Sequence, residues 1–168
     1  GSGAYDAADT EDYNVAIGRE ALGGSVAGGE HNVAIGGLNC LVGLTSADNV
    51  VAIGSRAGSA LTEGSDNTIV GYDAGDTLTT GTNNLVIGSG ADTSANNSTN
   101  QIVIGKGAVG GGDNTVVIGN TDITAWLPPD DDGVDLGSST KQFKDGYFDG
   151  TLEADAITVG GTALNTVI

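Results

Sequence analysis

Residues 67–88, NTIVGYDAGDTLTTGTNNLVIG, contain two copies of one pattern: a polar residue, a short run of mainly β-branched residues and a closing glycine. The pattern recurs at VAIG (15–18), VAIG (33–36), VAIG (51–54), TIVG (68–71), LVIG (85–88), IVIG (102–105) and VVIG (116–119). Successive closing glycines are 18, 18, 17, 17, 17 and 14 residues apart. A unit this short cannot bury a core alone, so each copy is interpreted as one coil of an all-β, parallel β-solenoid or β-roll.

A small residue follows most closing glycines by three positions. These residues are Ala21, Ala57, Ala74, Ala91 and Ala108. In the second coil Asn39 holds this position and Cys40 follows it, so we interpret Cys40 as a small buried filler. Glycine also precedes asparagine by three residues in several coils, which is turn chemistry. We expect the alanine row to pack at close range against neighbouring coils.

Strand alternation divides each VAIG segment between two faces. It places Val15 and Ile17 on one face and Ala16 and Gly18 on the other. We expect a second short strand at Ala21, on the opposite wall of a flattened coil. So narrow a coil holds two or three apolar side chains, which leaves others for an external stripe that copies of the chain would cover. The residues in excess are Leu22, Val26, Leu61, Leu78 and Val109.

The chain divides into three predicted regions. Residues 1–13 form an acidic N-terminal arm, either a lead-in or a docking segment, and residues 14–119 form a shaft of seven coils. At residue 120 the repeat stops, and Pro128-Pro129 excludes both helix and central strand. Residues 120–168 are predicted to form a small β-rich cap. Four of the seven aromatic residues lie in it: Trp126, Phe143, Tyr147 and Phe148.

The charge balance excludes several classes of partner. Twenty-two acidic and five basic residues give a net charge of −17. Without a basic stripe the chain is not expected to bind nucleic acid or an anionic membrane, and no apolar run approaches the ~20 residues that span a bilayer. The single cysteine excludes an intrachain disulfide. The charge predicts a surface that resists aggregation.

No catalytic, cofactor-binding or metal-binding residue is predicted. Asp73 and Asp76 beside Tyr72 are the nearest approach to a glycosidase carboxylate pair, but a solvated turn accounts for them better. The only histidine, His31, is expected to be a surface turn residue. Neither Asp130–Asp135 nor Gly110–Asp113 completes a calcium loop, and both are interpreted as solvated segments.

Two parts of the sequence resemble known fibre proteins. DNTIVGYDAG (66–75) and NNLVIGSGA (83–91) resemble repeats of bacteriophage tail-fibre shafts. They are also similar to the left-handed parallel β-roll in the heads of trimeric autotransporter adhesins, whose pattern is N-x-V-A-I-G with a spaced alanine. This resemblance covers about residues 14–119 and implies a left-handed coil and a homotrimer, intertwined or side by side.

The tail of the chain favours the phage comparison. DLGSSTKQFKDGYFDGTLEADAITVGG (135–161) resembles a segment near the C-terminus of phage fibres, which often precedes a self-cleaving chaperone domain that assembles the trimer. That domain is not in this sequence, and we expect it to have been cleaved off or left out. The aromatic residues of the tail are expected to form a small core that locks three chains together, with a sugar-binding role as the alternative.

These observations predict a non-enzymatic structural fibre protein, a stiff trimeric spacer in a phage tail fibre or virion appendage. Its expected partners are copies of itself, other tail or fibre proteins and a host surface glycan. The expected location is the virion or the extracellular space. The alternatives are a bacterial surface adhesin, a self-polymerising extracellular filament that docks through residues 1–13, and a glycan depolymerase.

Overall fold

The computed structural model describes residues 2–4, 13–24, 27–129 and 133–151, and the backbone of 158–159 and 162–163. These residues contain strands and turns and no helix. The strands are β1 Val15–Ile17, β2 Val33–Ile35, β3 Val51–Ile53, β4 Thr68–Val70, β5 Leu85–Ile87, β6 Ile102–Ile104, β7 Val116–Ile118, β8 Thr158–Val159 and β9 Thr162–Ala163. The chain divides into two compact units, Gly1–Ala125 and Trp126–Ile168.

The first unit is a β-solenoid, as the repeat predicted. Strands β1 to β7 form one parallel sheet in chain order, so each coil adds one strand beside the previous one. Equivalent residues of the repeat are aligned: Val33 pairs with Val51, and Leu85 pairs with Ile102. In the second unit, β8 and β9 form a two-stranded antiparallel hairpin.

The prediction of two strands per coil is wrong for the described residues. Each coil has one three-residue strand, and the wall after the closing glycine is a series of turns. The backbone there turns through the left-handed region, with φ of 61° at Arg56 and 52° at Asp73, which no extended strand tolerates. Backbone hydrogen bonds still join the coils: Gly75 N–H donates to Ala91 O (2.8 Å) and Thr62 N–H donates to Thr79 O (2.9 Å).

The core lies inside each coil and takes the middle residue of the strand. Ile69, Val86 and Val103 are fully buried there. The five alanines of the predicted row are also fully buried, which confirms their packing role. Leu22, Leu61 and Leu78 are buried in the same core, so the prediction that they form an external stripe is wrong. The small alanines leave room for these leucines inside; Val109 is exposed, and Val26 lies outside the described residues.

Cys40 is fully buried, as predicted, and takes the place of an alanine. Leu22 N–H donates to Cys40 O (3.0 Å), and Leu41 N–H donates to Ala57 O (3.1 Å), so Cys40 stacks between the positions of Ala21 and Ala57. The extra residue in this coil is accommodated in the turn after Gly36. Burial raises the pKa of the Cys40 thiol to about 11. The thiol therefore stays protonated at neutral pH.

The closing glycines form a column in which adjacent coils approach closely. Gly71 has a φ of 141°, and a Cβ atom added there would lie 2.5 Å from Gly88 O. A side chain is therefore excluded both by the backbone conformation and by the neighbouring coil.

We predict that Ala74→Phe prevents folding and therefore assembly, because the fully buried alanine has coils on both sides and no space for a ring. The measurements are soluble yield and far-UV circular dichroism. Thr80→Phe is the matched control, because it adds the same ring at an exposed position of the same coil. A normal yield of folded, assembled Ala74→Phe protein would show that the alanine row is not tightly packed.

Candidate functional site: the outer face of the sheet

A ladder of buried polar side chains sets the orientation of every strand. The residue before each strand is asparagine in four coils, and Asn32, Asn67 and Asn84 are almost fully buried. Asn67 Oδ1 accepts from Asn84 N–H (2.9 Å), and Asn84 Oδ1 accepts from Gln101 N–H (3.0 Å). Asn67 Nδ2 donates to Gly81 O of the next coil (2.7 Å). Asn32, Asn67 and Asn84 therefore each join their own coil to the following one, whereas the buried Gln101 amide bonds to Ser94 of its own coil.

The ladder has one interruption. Val50 occupies this position in the third coil, where Asn32 Oδ1 accepts from Val50 N–H (2.9 Å). Valine cannot continue the ladder, and Asn67 Nδ2 donates to Gly64 O of its own coil (2.9 Å) as well as to Gly81.

We predict that Asn84→Ala lowers the free energy of unfolding by about 2–4 kcal/mol, because it leaves the buried Gln101 N–H without an acceptor and removes a buried amide network. Asn97→Ala is the control, since Asn97 is an exposed asparagine near the same coil. Both variants would be compared by urea denaturation. Equal stability of the two variants would contradict a stabilising role for the ladder.

Because the ladder residue and the middle strand residue face inward, the first and third strand residues face outward. Thirteen of these fourteen residues are Val, Ile or Leu, and none is charged, in a chain whose overall charged content is 16%. Exposure is greatest at the two ends, at 57% for Ile17 and 61% for Val116. We call these residues the outer face: Val15, Ile17, Val33, Ile35, Val51, Ile53, Thr68, Val70, Leu85, Ile87, Ile102, Ile104, Val116 and Ile118.

Sequence reasoning did not identify the outer face as the apolar surface that the fold leaves uncovered. Alternation had separated Val15 and Ile17 from Ala16, but it did not say which side faces the interior. The missing signal is the asparagine that precedes four of the strands, which the sequence analysis interpreted only as turn chemistry. A contiguous apolar face of this kind, bordered by polar residues, is typical of a protein–protein interface.

The predicted carboxylate pair is part of an ion-pair cluster on the surface. Arg56 Nε lies 2.9 Å from Asp73 Oδ1, and an Arg56 terminal nitrogen lies 4.0 Å from Asp76 Oδ2. Tyr72 beside them is exposed. The arginine therefore lies close to both carboxylates and balances part of their charge.

His31 is exposed in a left-handed turn, as predicted, with a φ of 60°. Its ring stacks on Tyr13 with a centroid distance of 4.9 Å, and Nδ1 lies 3.9 Å from Glu30 Oε2. Tyr13 and His31 occupy equivalent positions in successive coils, so this stack is one more contact along the solenoid.

The predicted solvated acidic segments contain no metal-binding cluster where the structure describes them. Asp113 Oδ1 accepts from Thr99 N–H (2.8 Å) and so joins two coils. Asp130, Asp131 and Asp132 lie outside the described residues, and Asp135 is exposed. Among the described side chains, no three His, Cys, Asp or Glu residues come together as metal ligands would.

The described part of the second unit has no core of its own. Every described residue from 121 to 151 is exposed, including Trp126 at 79% and Tyr147 at 93%. Trp126, Leu127 and Leu136 line an open apolar groove with the two prolines. The four aromatic side chains that were expected to form a core are therefore all exposed in the single chain.

Asp92 is a carboxylate whose environment the repeat did not indicate. Its Oδ2 accepts from Thr77 Oγ1 (2.6 Å), and its Oδ1 accepts from Thr93 N–H (2.8 Å). Burial is the main cause that raises the pKa of Asp92, and the nearby charge of Asp76 adds to it.

We predict that Asp92→Asn removes a pH-dependent loss of stability. Because its pKa is raised in the folded state, the Asp92 carboxyl binds its proton more tightly in the folded than in the unfolded chain. Its contribution to the free energy of unfolding therefore falls as the pH rises above 3.8, the ordinary pKa of the group. The variant should therefore gain stability relative to the native chain between about pH 4 and pH 7. Urea denaturation across this range is the measurement. Glu63→Gln controls for the loss of one charge at an exposed site; an identical pH trend in both variants would contradict the assignment.

No family model, curated protein or solved structure matches this chain. The described residues include no helix of the length and hydrophobicity that crossing a bilayer requires.

Proposed function

We propose that this chain is a structural fibre protein, the shaft of a homotrimeric β-solenoid fibre that acts as a stiff spacer. The observation that carries the proposal is the outer face, thirteen apolar side chains on one side of a seven-stranded sheet. Six of these apolar side chains are exposed and seven are half-buried, and monomeric proteins rarely expose contiguous apolar patches larger than about a few hundred Å². The described residues of 121–151 support the same conclusion, because their aromatic side chains have no core within one chain.

The proposed mechanism is mechanical. Hydrogen bonds run between successive coils on every wall, and threonine side chains add to them: Thr45 Oγ1 donates to Thr62 O and Thr62 Oγ1 to Thr79 O, both at 3.1 Å. Bending the rod would require several such bonds to lengthen together. At about 4.8 Å per coil, seven coils give a shaft roughly 30 Å long.

The assignment to a phage tail fibre or other virion appendage rests on the resemblance of 135–161 to the C-terminal region of phage fibres. In this proposal the coil is left-handed, the residues from 120 onward form a small β cap that joins the three chains, and a host surface glycan is the distant target. The proposal includes no enzymatic activity; Arg56 lies against Asp73 and Asp76, the carboxylates that come nearest to a glycosidase pair in the sequence.

One observation weighs against the filament alternative. The column of buried leucines ends at Leu78, and a polar cluster takes its place in the following coils: Gln101 Nε2 donates to Ser94 Oγ (2.7 Å), and Ala95 N–H donates to Ser98 Oγ (2.9 Å). The final coil, from Gly105 to Gly119, is also the shortest. A core that becomes polar and narrow towards one end is a poor template for end-to-end growth.

We predict a native mass of about three times the 16.4 kDa chain in dilute buffer. The double variant Ile53→Asp/Ile87→Asp should shift the mass to that of the monomer, since it places two charges on the outer face without touching the core. Thr80→Asp, at an exposed site away from this face, should leave the mass unchanged. Light scattering coupled to size exclusion measures all three, and a monomeric native chain would overturn the proposal. Immunogold labelling of fibres on particles from the source would test the virion assignment separately.

A further inference from the structure

The two borders of the outer face carry different charges. We define the leading corner as the two residues before each buried ladder position, and the trailing corner as the two residues after each closing glycine. In the described coils the leading corner holds four carboxylates and no lysine or arginine: Glu30, Asp48, Asp66 and Asp113. The trailing corner holds every lysine and arginine of the solenoid, Arg19, Arg56 and Lys106, with the carboxylates Glu20 and Asp73.

Two of these bases have no partner in the described chain. Arg56 pairs with Asp73 beside it, but Arg19 and Lys106 are exposed and make no ion pair with a described residue. At the leading corner, Asp48 and Asp113 each use Oδ1 to accept a backbone N–H, from Glu30 and Thr99, at 2.8 Å. Their second carboxylate oxygens make no hydrogen bond with any residue that the structure describes.

In three places along the sheet, a base that follows one strand is succeeded by a carboxylate that precedes the next strand. Arg19 follows β1 and Glu30 precedes β2; Lys106 follows β6 and Asp113 precedes β7; Arg56 follows β3 and Asp66 precedes β4. Each base therefore has a carboxylate one strand further along, about 4.8 Å along the axis, within reach of a long side chain. No ion pair joins the two members of any of these pairs within the described chain, which leaves Arg19 and Lys106 available to carboxylates of a neighbouring molecule.

Symmetry decides which corners meet. If two copies bring their outer faces together with their axes in the same direction, the leading corner of one lies against the trailing corner of the other. If the axes run in opposite directions, the leading corner of one copy lies against the leading corner of the other, and their carboxylates repel each other. In a ring of copies around an axis parallel to the shaft, every neighbour contact is of the first kind.

We propose that the outer face docks further copies of this chain in the same direction and at the same level, with the leading corner of each copy paired to the trailing corner of the next. This inference rests on the proposed function. The surface is large enough for a stable interface. Each of the seven coils presents two outer-face residues and one residue from each corner, and stable interfaces use about 20–30 residues a side. The apolar residues supply the affinity, and the charged corners select the direction.

Charge reversal at one pair tests the contact. Arg19→Glu and Glu30→Arg should each raise the concentration at which the assembly half-dissociates by about tenfold at low salt, because each places like charges at every neighbour contact. The double variant restores opposite charges and should return to within about twofold of the native chain. Thr80→Asp/Asn97→Asp, which adds the same two negative charges as Arg19→Glu at exposed solenoid positions away from both corners, should have no effect.

The outcomes separate the two proposals. Suppose that the native chain is trimeric but the assembly of the double variant is weakened by the sum of the two single effects. That result would overturn the corner pairing and leave the fibre proposal standing. A monomeric native chain would overturn both.

Cysteine cross-linking tests the direction independently. Ile17→Cys and Ile118→Cys place thiols at opposite ends of the outer face. Copies in the same direction should form disulfide dimers in each variant alone, whereas opposed copies would form them only when the variants are mixed. The native chain, whose one cysteine is buried, is the negative control. Cross-links confined to the mixture would overturn the proposal.

Discussion

The whole solenoid depends on the need to satisfy buried backbone and amide groups between one coil and the next. Asn84 N–H and the Asn84 side chain both bond to Asn67 Oδ1, while Asn84 Oδ1 accepts from the coil above. No coil can meet these requirements alone, because half of its partners belong to its neighbours. An unpaired polar group in this interior would cost about 1–3 kcal/mol, so the coils form together and in one register.

The same constraint explains why the molecule carries apolar side chains outside. With the amide before the strand facing inward, alternation also turns the middle strand residue inward and the two flanking residues outward. The interior is already filled by Leu61, Leu78 and the alanine row. β-branched residues therefore remain on the outer face, where they favour the extended backbone but are at most half-buried within the chain. Their full burial would require another molecule.

Sequence reasoning recovered the features that repeat and missed those that depend on the interior. The spacing of the glycines gave the coils and their register, and the small-residue rule placed Cys40 and the alanines correctly. It failed at Leu22, Leu61 and Leu78, because it assumed that so narrow a coil holds only two or three apolar side chains. It also missed the outer face, because alternation distinguishes two faces of a strand without saying which is enclosed. That choice is made by hydrogen bonds from the asparagines to coils 17 or 18 residues away, a non-local interaction. The environment of Asp92 escaped prediction for the same reason, since its partner Thr77 belongs to the preceding coil.

Copies of a chain with a net charge of −17 repel each other, and the distribution of the charges reduces this repulsion at one surface. The outer face carries no charge, so bringing copies together desolvates no ion at the centre of the contact. Repulsion between carboxylates elsewhere on the surface is screened beyond about 8–10 Å at ordinary ionic strength. The bases of the solenoid are all at the trailing corner, so pairing this corner with the leading corner of a neighbour would offset part of the remaining repulsion. Contact through any other surface would bring acidic residues together without this compensation, so the net charge opposes disordered aggregation while leaving one mode of association open.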